Sequence, residues 1–166
     1  MTAPAIALPI AQALVVEMGG EPFEIAEEDR GVYHAALNHG ANFLATIVAQ
    51  SKQILSTVGI EDPGTFLRPL CEAALDRALR AGDRGVSGPI PRGDVGTIRE
   101  HLAVLETKAK EENLAGEGQW AHRLEDARST YAAMTLHTVD LLEFEGRISS
   151  QVASEIRAAV REMGEK

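Results

Sequence analysis

Apolar residues recur along the chain at the spacing of α-helices, in segments separated by short stretches that contain Gly or Pro. The first helical segment ends at Gly19-Gly20, and the second runs from about Glu28 to Val58. A helix of that length spans roughly 45 Å at ~1.5 Å per residue. Because its apolar residues occupy a broad face, we expect it to be the central helix, with neighbours on several sides.

The next helix is predicted to begin at Asp62-Pro63, which supplies an N-cap and a first-turn proline, and to end near Arg80. We expect Pro69 to kink or interrupt it, because proline removes a helical hydrogen bond. The residues predicted to face inward from this helix are Phe66, Leu67, Leu70, Ala74 and Ala78, with Cys71 as a small core residue.

Three more helices are predicted, starting near Val95, after Gly118 and after Ser149. Spacings that alternate between four and three residues predict a bundle seam on the second of these, formed by Trp120, Leu124, Ala127, Tyr131, Met134, Thr138 and Leu141. The last helix is predicted to bury Val152, Ile156, Val160 and Met163. The predicted fold class is therefore all-α, with about six helices around one long central helix.

One short segment does not fit this helical pattern. In the segment Pro22–Ile25, apolar and polar residues alternate as in a β-strand, most clearly over Phe23-Glu24-Ile25. The chain offers no second strand to pair with it. Because an isolated strand is not stable, we expect either an extended connector or the remnant of a sheet that lies elsewhere.

The overall composition narrows the classes of function. The chain has 166 residues and a formal charge of −9, which disfavours binding to nucleic acid or to anionic membranes. A single cysteine, Cys71, excludes an internal disulfide and fits a reducing compartment. The N-terminal residues lack a signal-peptide pattern, and no apolar run approaches the ~20 residues of a membrane span. We therefore expect a soluble, cytoplasmic protein.

A line of polar residues on the long helix is the first candidate site. His34, Asn38, Asn42 and Thr46 recur every four residues and so lie along one side of the helix. Buried polar side chains need hydrogen-bond partners, so one interpretation is a cleft in which they orient a ligand. The alternatives are hydrogen bonds to neighbouring helices, or the solvent-facing side of an amphipathic helix.

The loop Gly82–Asp94, with Ser87-Gly88-Pro89-Ile90-Pro91-Arg92-Gly93-Asp94 as its core, is the second candidate. Arg92 could hold a carboxylate or phosphate with its planar guanidinium group. Asp94 occupies an N-cap position, where free backbone amides also suit anions. The alternative is a tight connection in which Asp94 only caps the helix and Arg92 pairs with a local acid.

Other sequence signals are weak. The five histidines show no metal-ligand spacing, so we predict no metal site. No glycine-rich nucleotide-binding motif is present, so we expect this chain alone to bind no cofactor.

Two sets of residues resemble a known family: Asp29-Arg30-x-x-Tyr33-His34-Ala35-Ala36 with Asn42, and Gly88-Pro89-x-x-Arg92-Gly93-Asp94-x-x-Thr97. The chain resembles, over roughly residues 10–163, the uncharacterised all-helical C-terminal domain of bacterial Rossmann-like oxidoreductases. These look like relatives of ketopantoate reductase, pyrroline-5-carboxylate reductase and the 6-phosphogluconate dehydrogenase superfamily.

The resemblance implies a particular domain organisation. Residues 1–27 would be a tail or linker left from a missing Rossmann domain, and residues 28–166 a helical substrate-binding and dimerisation domain. It also implies a homodimer, NAD or NADP held by the Rossmann domain, and a cleft for a small acidic metabolite. The substrate-binding residues we predict are His34, Asn38, Asn42, Arg92 and Asp94.

The chain departs from the related dehydrogenases at one position. They often place a catalytic lysine one helical turn before an asparagine, whereas here Asn38 precedes Asn42 and the nearest lysine is Lys52. The catalytic residues therefore stay unknown. Because the resemblance implies that the nucleotide-binding domain is absent, we expect the isolated chain to be inactive. The alternative from another class is a non-enzymatic helical module for dimerisation or small-molecule sensing.

Overall fold

The computed structural model describes residues 2–116 and 118–164, and for residues 118–120 it describes the backbone only. Six α-helices follow one another in this part of the chain, namely α1 Leu8–Glu17, α2 Arg30–Ser56, α3 Pro63–Ala81, α4 Val95–Leu114, α5 Gly118–Phe144 and α6 Ser150–Gly164. Short 3₁₀ turns occur at Glu27–Asp29, Gly82–Gly85 and Ile90–Arg92. The described residues contain no β-strand, so the predicted all-α class and helix number are confirmed.

Helix boundaries follow local signals in the sequence. Asp62 caps α3 by accepting a hydrogen bond from the backbone N–H of Thr65 at 3.1 Å. After α5 the chain turns at Gly146, whose φ of +66° lies in the left-handed region. Ser149 then accepts a hydrogen bond from the N–H of Val152 at 3.3 Å and caps α6, as predicted. Helix α3 continues through Pro69, so the predicted break does not occur, and the alternative of a kink stays a prediction.

The hydrophobic core lies where α4, α5 and α6 pack together. Ile98 and Leu102 of α4 meet Val139 and Leu142 of α5, and all four are almost completely buried. The remaining buried members of this core are Ile148, Ala153, Ile156 and Val160. Full burial of each large aliphatic side chain contributes about 1.5–3 kcal/mol, so this cluster is the main source of stability in this part of the chain.

The long helix α2 contributes little to that core. None of its residues is buried, and large apolar side chains such as Tyr33, Leu37 and Phe43 are exposed. Helix α5 is the most extensively packed helix instead, because it contacts both α4 and α6. Helix α2 has the predicted broad apolar face, but within the described chain that face has few neighbours. The central position expected for α2 is therefore not observed.

The predicted inward face of α3 is largely wrong for this chain, since only Leu67 of its five residues is half-buried. Phe66 and Leu70 are 62% and 66% exposed, and Ala74 and Ala78 are exposed as well. Cys71 is partly exposed and is not a core residue. Among the described residues α3 packs mainly against the short turn Gly82–Gly85, which is too small to cover the apolar face of a 19-residue helix.

The predicted seam of α5 is correct only in part. Leu124 and Ala127 are buried, but Met134 and Leu141 are 45% and 41% exposed. The buried side of α5 continues instead through Thr135, Val139 and Leu142, one position further along the helix surface. Trp120 was also placed on the seam, but its side chain lies outside the described residues.

The buried face predicted for α6 is largely confirmed. Ile156 and Val160 belong to the core, and Val152 and Met163 pack against its edge, where each is half-buried.

The described chain forms two compact units, Met1–Thr46 and Ile47–Lys166, and α2 passes from one into the other. In the first, Gln12 donates a hydrogen bond to Glu24 at 2.8 Å, and Phe23 to Ile25 forms no regular secondary structure. The second contains the core described above. Within residues 2–116 and 118–164, no helix has both the length and the hydropathy that a bilayer-spanning segment requires.

Truncating a core leucine should be much more costly than truncating an exposed one. We expect Leu142→Ala to lower the free energy of unfolding by about 2–5 kcal/mol, because it leaves a cavity between α4, α5 and α6. Urea denaturation at pH 7 measures the change. The matched control is Leu114→Ala at the end of α4, where the side chain is 88% exposed. Equal losses for the two variants would contradict this description of the core.

Candidate functional site

The loop between α3 and α4 is fixed to the α5–α6 turn by an arginine. The Arg147 guanidinium donates hydrogen bonds to the backbone carbonyls of Asp83 and Val86, the latter at 3.2 Å. On the other side, Gly85 lies so close to α3 that an added Cβ would come within 2.9 Å of the Arg77 carbonyl oxygen. Two anchors from different elements therefore hold the first half of the loop in one conformation.

The second half of the loop is held by its own backbone. The Pro89 carbonyl accepts hydrogen bonds from the N–H groups of Arg92 and Asp94, at 3.1 and 3.0 Å. Gly93 has a φ of +64°, and a Cβ there would lie 3.2 Å from a methyl group of Val152 on α6. Both the left-handed backbone and the tight contact favour glycine at this position.

Asp94 is the N-cap of α4. Its Oδ1 accepts the backbone N–H of Thr97 at 3.1 Å, and its Oδ2 accepts the Thr97 hydroxyl at 2.7 Å. These hydrogen bonds hold the pKa of Asp94 below its ordinary value of 3.8, and the positive charges of Arg92 and His101 act in the same direction. Both carboxylate oxygens are therefore used by the helix start, and Asp94 positions the loop whatever else it does.

Arg92 follows a different pattern. It lies in the 3₁₀ turn Ile90–Arg92 and its side chain is exposed. The local ion pair that the sequence left open is not formed, since no described carboxylate lies within ion-pair distance of its guanidinium. The group is thus presented on a fixed backbone with its donors available, which is an arrangement suited to an anionic partner.

The polar line on α2 is present and faces outward. Asn42 donates a hydrogen bond from its side-chain amide to the Asn38 side-chain oxygen, and the Thr46 hydroxyl donates to the Asn42 carbonyl at 3.3 Å. His34 lies one turn earlier, beside the ring of Tyr33. All of these side chains are exposed, so their hydrogen bonds run along their own helix and leave polar groups open to a ligand.

The two groups of predicted site residues lie in different compact units. His34, Asn38 and Asn42 belong to Met1–Thr46, whereas Arg92 and Asp94 belong to Ile47–Lys166. The structure brings Arg92 and Asp94 together in one loop and places the other three on one side of one helix. A single cleft lined by all five stays a prediction.

A groove of about 280 Å³ lies within the second unit, and none of these residues lines it. The end of α2 contributes one wall through Ile47, Gln50, Ser51 and Ile54. Leu105 of α4 and Ala127, Thr130, Tyr131 and Met134 of α5 form the other. Gln50 donates a hydrogen bond to the Thr130 hydroxyl at 3.0 Å across the groove. Helix α5 therefore places Met134 and Thr130 beside a groove rather than in the core.

Tyr131 and His101 form a pair that the sequence did not indicate. The Tyr131 hydroxyl lies 2.9 Å from His101 Nδ1, and the rings meet edge to face. Burial raises the pKa of Tyr131 above its ordinary value of 10.0. The two residues are 30 positions apart on different helices, so no local spacing could have revealed the pair.

The described residues contain no cluster of His, Cys, Asp and Glu side chains that could hold a metal ion. Residues 1–138 match the model of a protein family described as a domain of unknown function, DUF2520. This chain belongs to the DUF2520 family. Curated proteins and solved structures give no match.

The DUF2520 match covers both groups of predicted site residues. It includes α1 to α4, the loop with Arg92 and Asp94, and α5 as far as Thr138. It ends before Arg147 and α6, which anchor the loop and complete the core. Family membership therefore establishes a shared domain for most of the chain, and the description of that domain assigns no activity.

We expect Asp94→Ala to destabilise the chain at pH 7, because the first turn of α4 loses its capping acceptor. Asp94→Asn is the matched variant, since asparagine also caps helices, and it should lose less. The midpoint of urea denaturation measures both.

The contribution of the Asp94 charge should depend on pH in a defined direction. Because its folded pKa is lowered, this contribution is complete above the unfolded value near 3.8 and is lost as the pH falls through the folded value. The advantage of the wild type over Asp94→Asn should therefore shrink between pH 5 and strong acid. An advantage that grows on acidification would contradict this role.

Proposed function

We propose that this chain acts as the helical substrate-binding and dimerisation domain of an NAD(P)-dependent oxidoreductase-like protein. In this proposal it is a bacterial, cytoplasmic protein with a fold like the C-terminal domain of 6-phosphogluconate dehydrogenases. The nucleotide is held by a Rossmann domain, and the helical chain supplies groups that bind a small acidic metabolite. Without that domain the chain has no activity of its own.

The observation that best supports the proposal is the uncovered state of α2. A helix of 27 residues carries exposed aromatic and aliphatic side chains such as Tyr33, Leu37 and Phe43 beside an exposed line of amides. Monomeric proteins seldom leave large apolar patches uncovered, and such patches commonly mark protein interfaces. A further protein surface over α2 would cover these residues and enclose the polar line in a cleft.

The roles of the individual residues follow from their chemistry. Asn38 and Asn42 can donate and accept hydrogen bonds, and His34 lies on the same side of the helix. Arg92 is the group suited to hold the acidic end of a substrate, because its donors are exposed on a fixed loop. Asp94 keeps that loop at the start of α4. Hydride transfer itself would be carried out by the nicotinamide.

The experiment adds a Rossmann nucleotide-binding domain ahead of residue 28 and measures nicotinamide-dependent turnover of small keto and hydroxy acids. Arg92→Ala should raise KM about ten- to a hundredfold, as expected for the loss of a hydrogen bond to a charged group. Arg161→Ala on α6, which is also exposed, is the control and should leave KM unchanged. If the wild type and Arg92→Ala are equally inert across the panel, the enzymatic proposal fails.

Dimerisation through α3 is the second part of the proposal. Phe66, Leu70 and Leu79 are each more than 60% exposed on this helix, and a second copy of the chain could cover them. The sequence seam on α5 is less suited to this role, because Leu124 is almost fully buried inside its own chain.

A charged residue on α3 should therefore break the dimer. We expect Leu70→Glu to sediment as a monomer at concentrations where the wild type is a dimer, because the new carboxylate would be buried in the interface. Leu114→Glu, an exposed leucine on α4, should leave the dimer intact. Far-UV circular dichroism checks that both variants are folded. A Leu70→Glu dimer of unchanged strength would rule out α3 as the interface.

A non-enzymatic helical module for dimerisation or small-molecule sensing is the second candidate. It is favoured by one specific observation, the presence of Asn38 where related dehydrogenases often carry a catalytic lysine. A sensor would bind its ligand in the presence of a Rossmann domain without turnover. Isothermal titration alongside the activity measurement separates the two candidates.

A further inference from the structure

The groove between the end of α2 and helices α4 and α5 has a composition that is unusual for an acidic protein. This groove is lined by apolar and uncharged polar side chains only, although the whole chain carries a formal charge of −9. Its volume of about 280 Å³ is close to the lower end of the range of small-molecule clefts, ~300–1,000 Å³. A second depression of about 320 Å³ adjoins it and shares Leu105 and Tyr131.

Hydrogen-bonding groups lie at defined points of this apolar groove. Gln50 donates to the Thr130 hydroxyl, and this leaves the Gln50 side-chain oxygen as an acceptor. Tyr131 is half-buried where the two depressions meet. Its hydroxyl lies 2.9 Å from His101 Nδ1, and the Thr135 side chain is a second hydrogen-bond neighbour. A phenol hydroxyl both donates and accepts, so Tyr131 can form one further hydrogen bond whichever group donates in the pair.

We propose that this groove binds a small neutral molecule with an apolar body and one hydroxyl or amide group, oriented by Tyr131 and Gln50. The apolar walls, which include Ile47, Leu105 and Met134, take the body of the molecule. The absence of charged side chains from the described lining selects against an ionised ligand, because a buried charge without a partner is strongly disfavoured.

This site is distinct from the one in the proposed oxidoreductase function. None of His34, Asn38, Asn42, Arg92 and Asp94 lines the groove. The ligand class also differs, since Arg92 suits an anion whereas the groove suits a neutral molecule. The failure of one proposal therefore leaves the other standing.

The test uses three probes of nearly equal size: 3-phenylpropan-1-ol, 3-phenylpropanoate and propylbenzene. Each is titrated into the ¹⁵N-labelled full chain, and amide chemical shifts report where it binds. We expect the alcohol to shift the amides of groove residues such as Ser51 and Thr130 and to saturate. The anion should bind at least about tenfold more weakly, because the groove offers it no positive charge.

Two variants identify the groups responsible. Tyr131→Phe keeps the ring and removes the hydroxyl. It should therefore weaken binding of the alcohol about three- to tenfold and change the affinity for propylbenzene by no more than about twofold. Tyr33→Phe, which changes the other tyrosine of the chain, should leave the affinity for both probes unchanged. Ser51→Leu adds a side chain to the wall of the groove and should abolish binding of all three. Thermal denaturation checks that each variant is folded.

Several results would overturn the proposal. One is the absence of saturable binding by the alcohol up to its solubility limit. Another is a set of shifts confined to the exposed face of α3, which would mean non-specific adsorption to apolar surface. Equal affinities in Tyr131→Phe and Tyr33→Phe would remove the role of the hydroxyl. Shifts of the groove amides on dilution, without any probe, would instead indicate that a second copy of the chain occupies the groove.

Discussion

Packing of α4, α5 and α6 around one aliphatic core is the constraint on which the rest of the second unit depends. Ile98, Leu142 and Ile156 come from three different helices and are completely buried. Because these side chains interlock, the directions of the three helices and of the turn between α5 and α6 are fixed together. That turn carries Arg147, whose guanidinium holds the loop before α4. Core packing thus fixes the first half of the loop, and the close contact of Gly93 with Val152 of α6 places the second half, which carries Arg92.

The same packing leaves other apolar surface without cover. Once one side of α5 is buried against α4 and α6, Met134 and Leu141 remain exposed on its flank, and Met134 lines the groove. Among the residues that the structure describes, the Gly82–Gly85 turn is the main neighbour of α3, and Phe66 and Leu70 stay exposed. The main core of the described chain therefore lies between Ile98 and Val160, and the earlier helices keep exposed apolar surface.

Membership of the DUF2520 family assigns the chain to a family but assigns it no reaction. The match contains both groups of predicted site residues, and the loop residues among them, Arg92 and Asp94, have separate physical roles. Asp94 is occupied by the cap of α4, while Arg92 is held in place with its donors open. The loop therefore fixes the backbone of Arg92, while its exposed side chain keeps its rotamer freedom.

Local signals in the sequence were sufficient to predict the helices themselves. Helical spacing, Gly59, Gly146 and the caps at Asp62 and Asp94 determine six helices and their approximate ends, because these effects act within one or two turns. The line of His34, Asn38 and Asn42 also follows from sequence alone, since residues four apart always share one side of a helix.

Which apolar face is covered was decided only by tertiary structure. Apolar spacing identifies a face that is able to be buried, but burial also requires a neighbour, and α2 and α3 show that the neighbour can be absent from the described chain. The pairing of His101 with Tyr131 and the anchoring of the loop by Arg147 were likewise invisible in the sequence, because each joins residues 30 or more positions apart. The sequence alone determined the helices, their caps and the glycine-rich path of the loop. Helix packing decided which of their side chains form the core, the groove and the exposed surfaces.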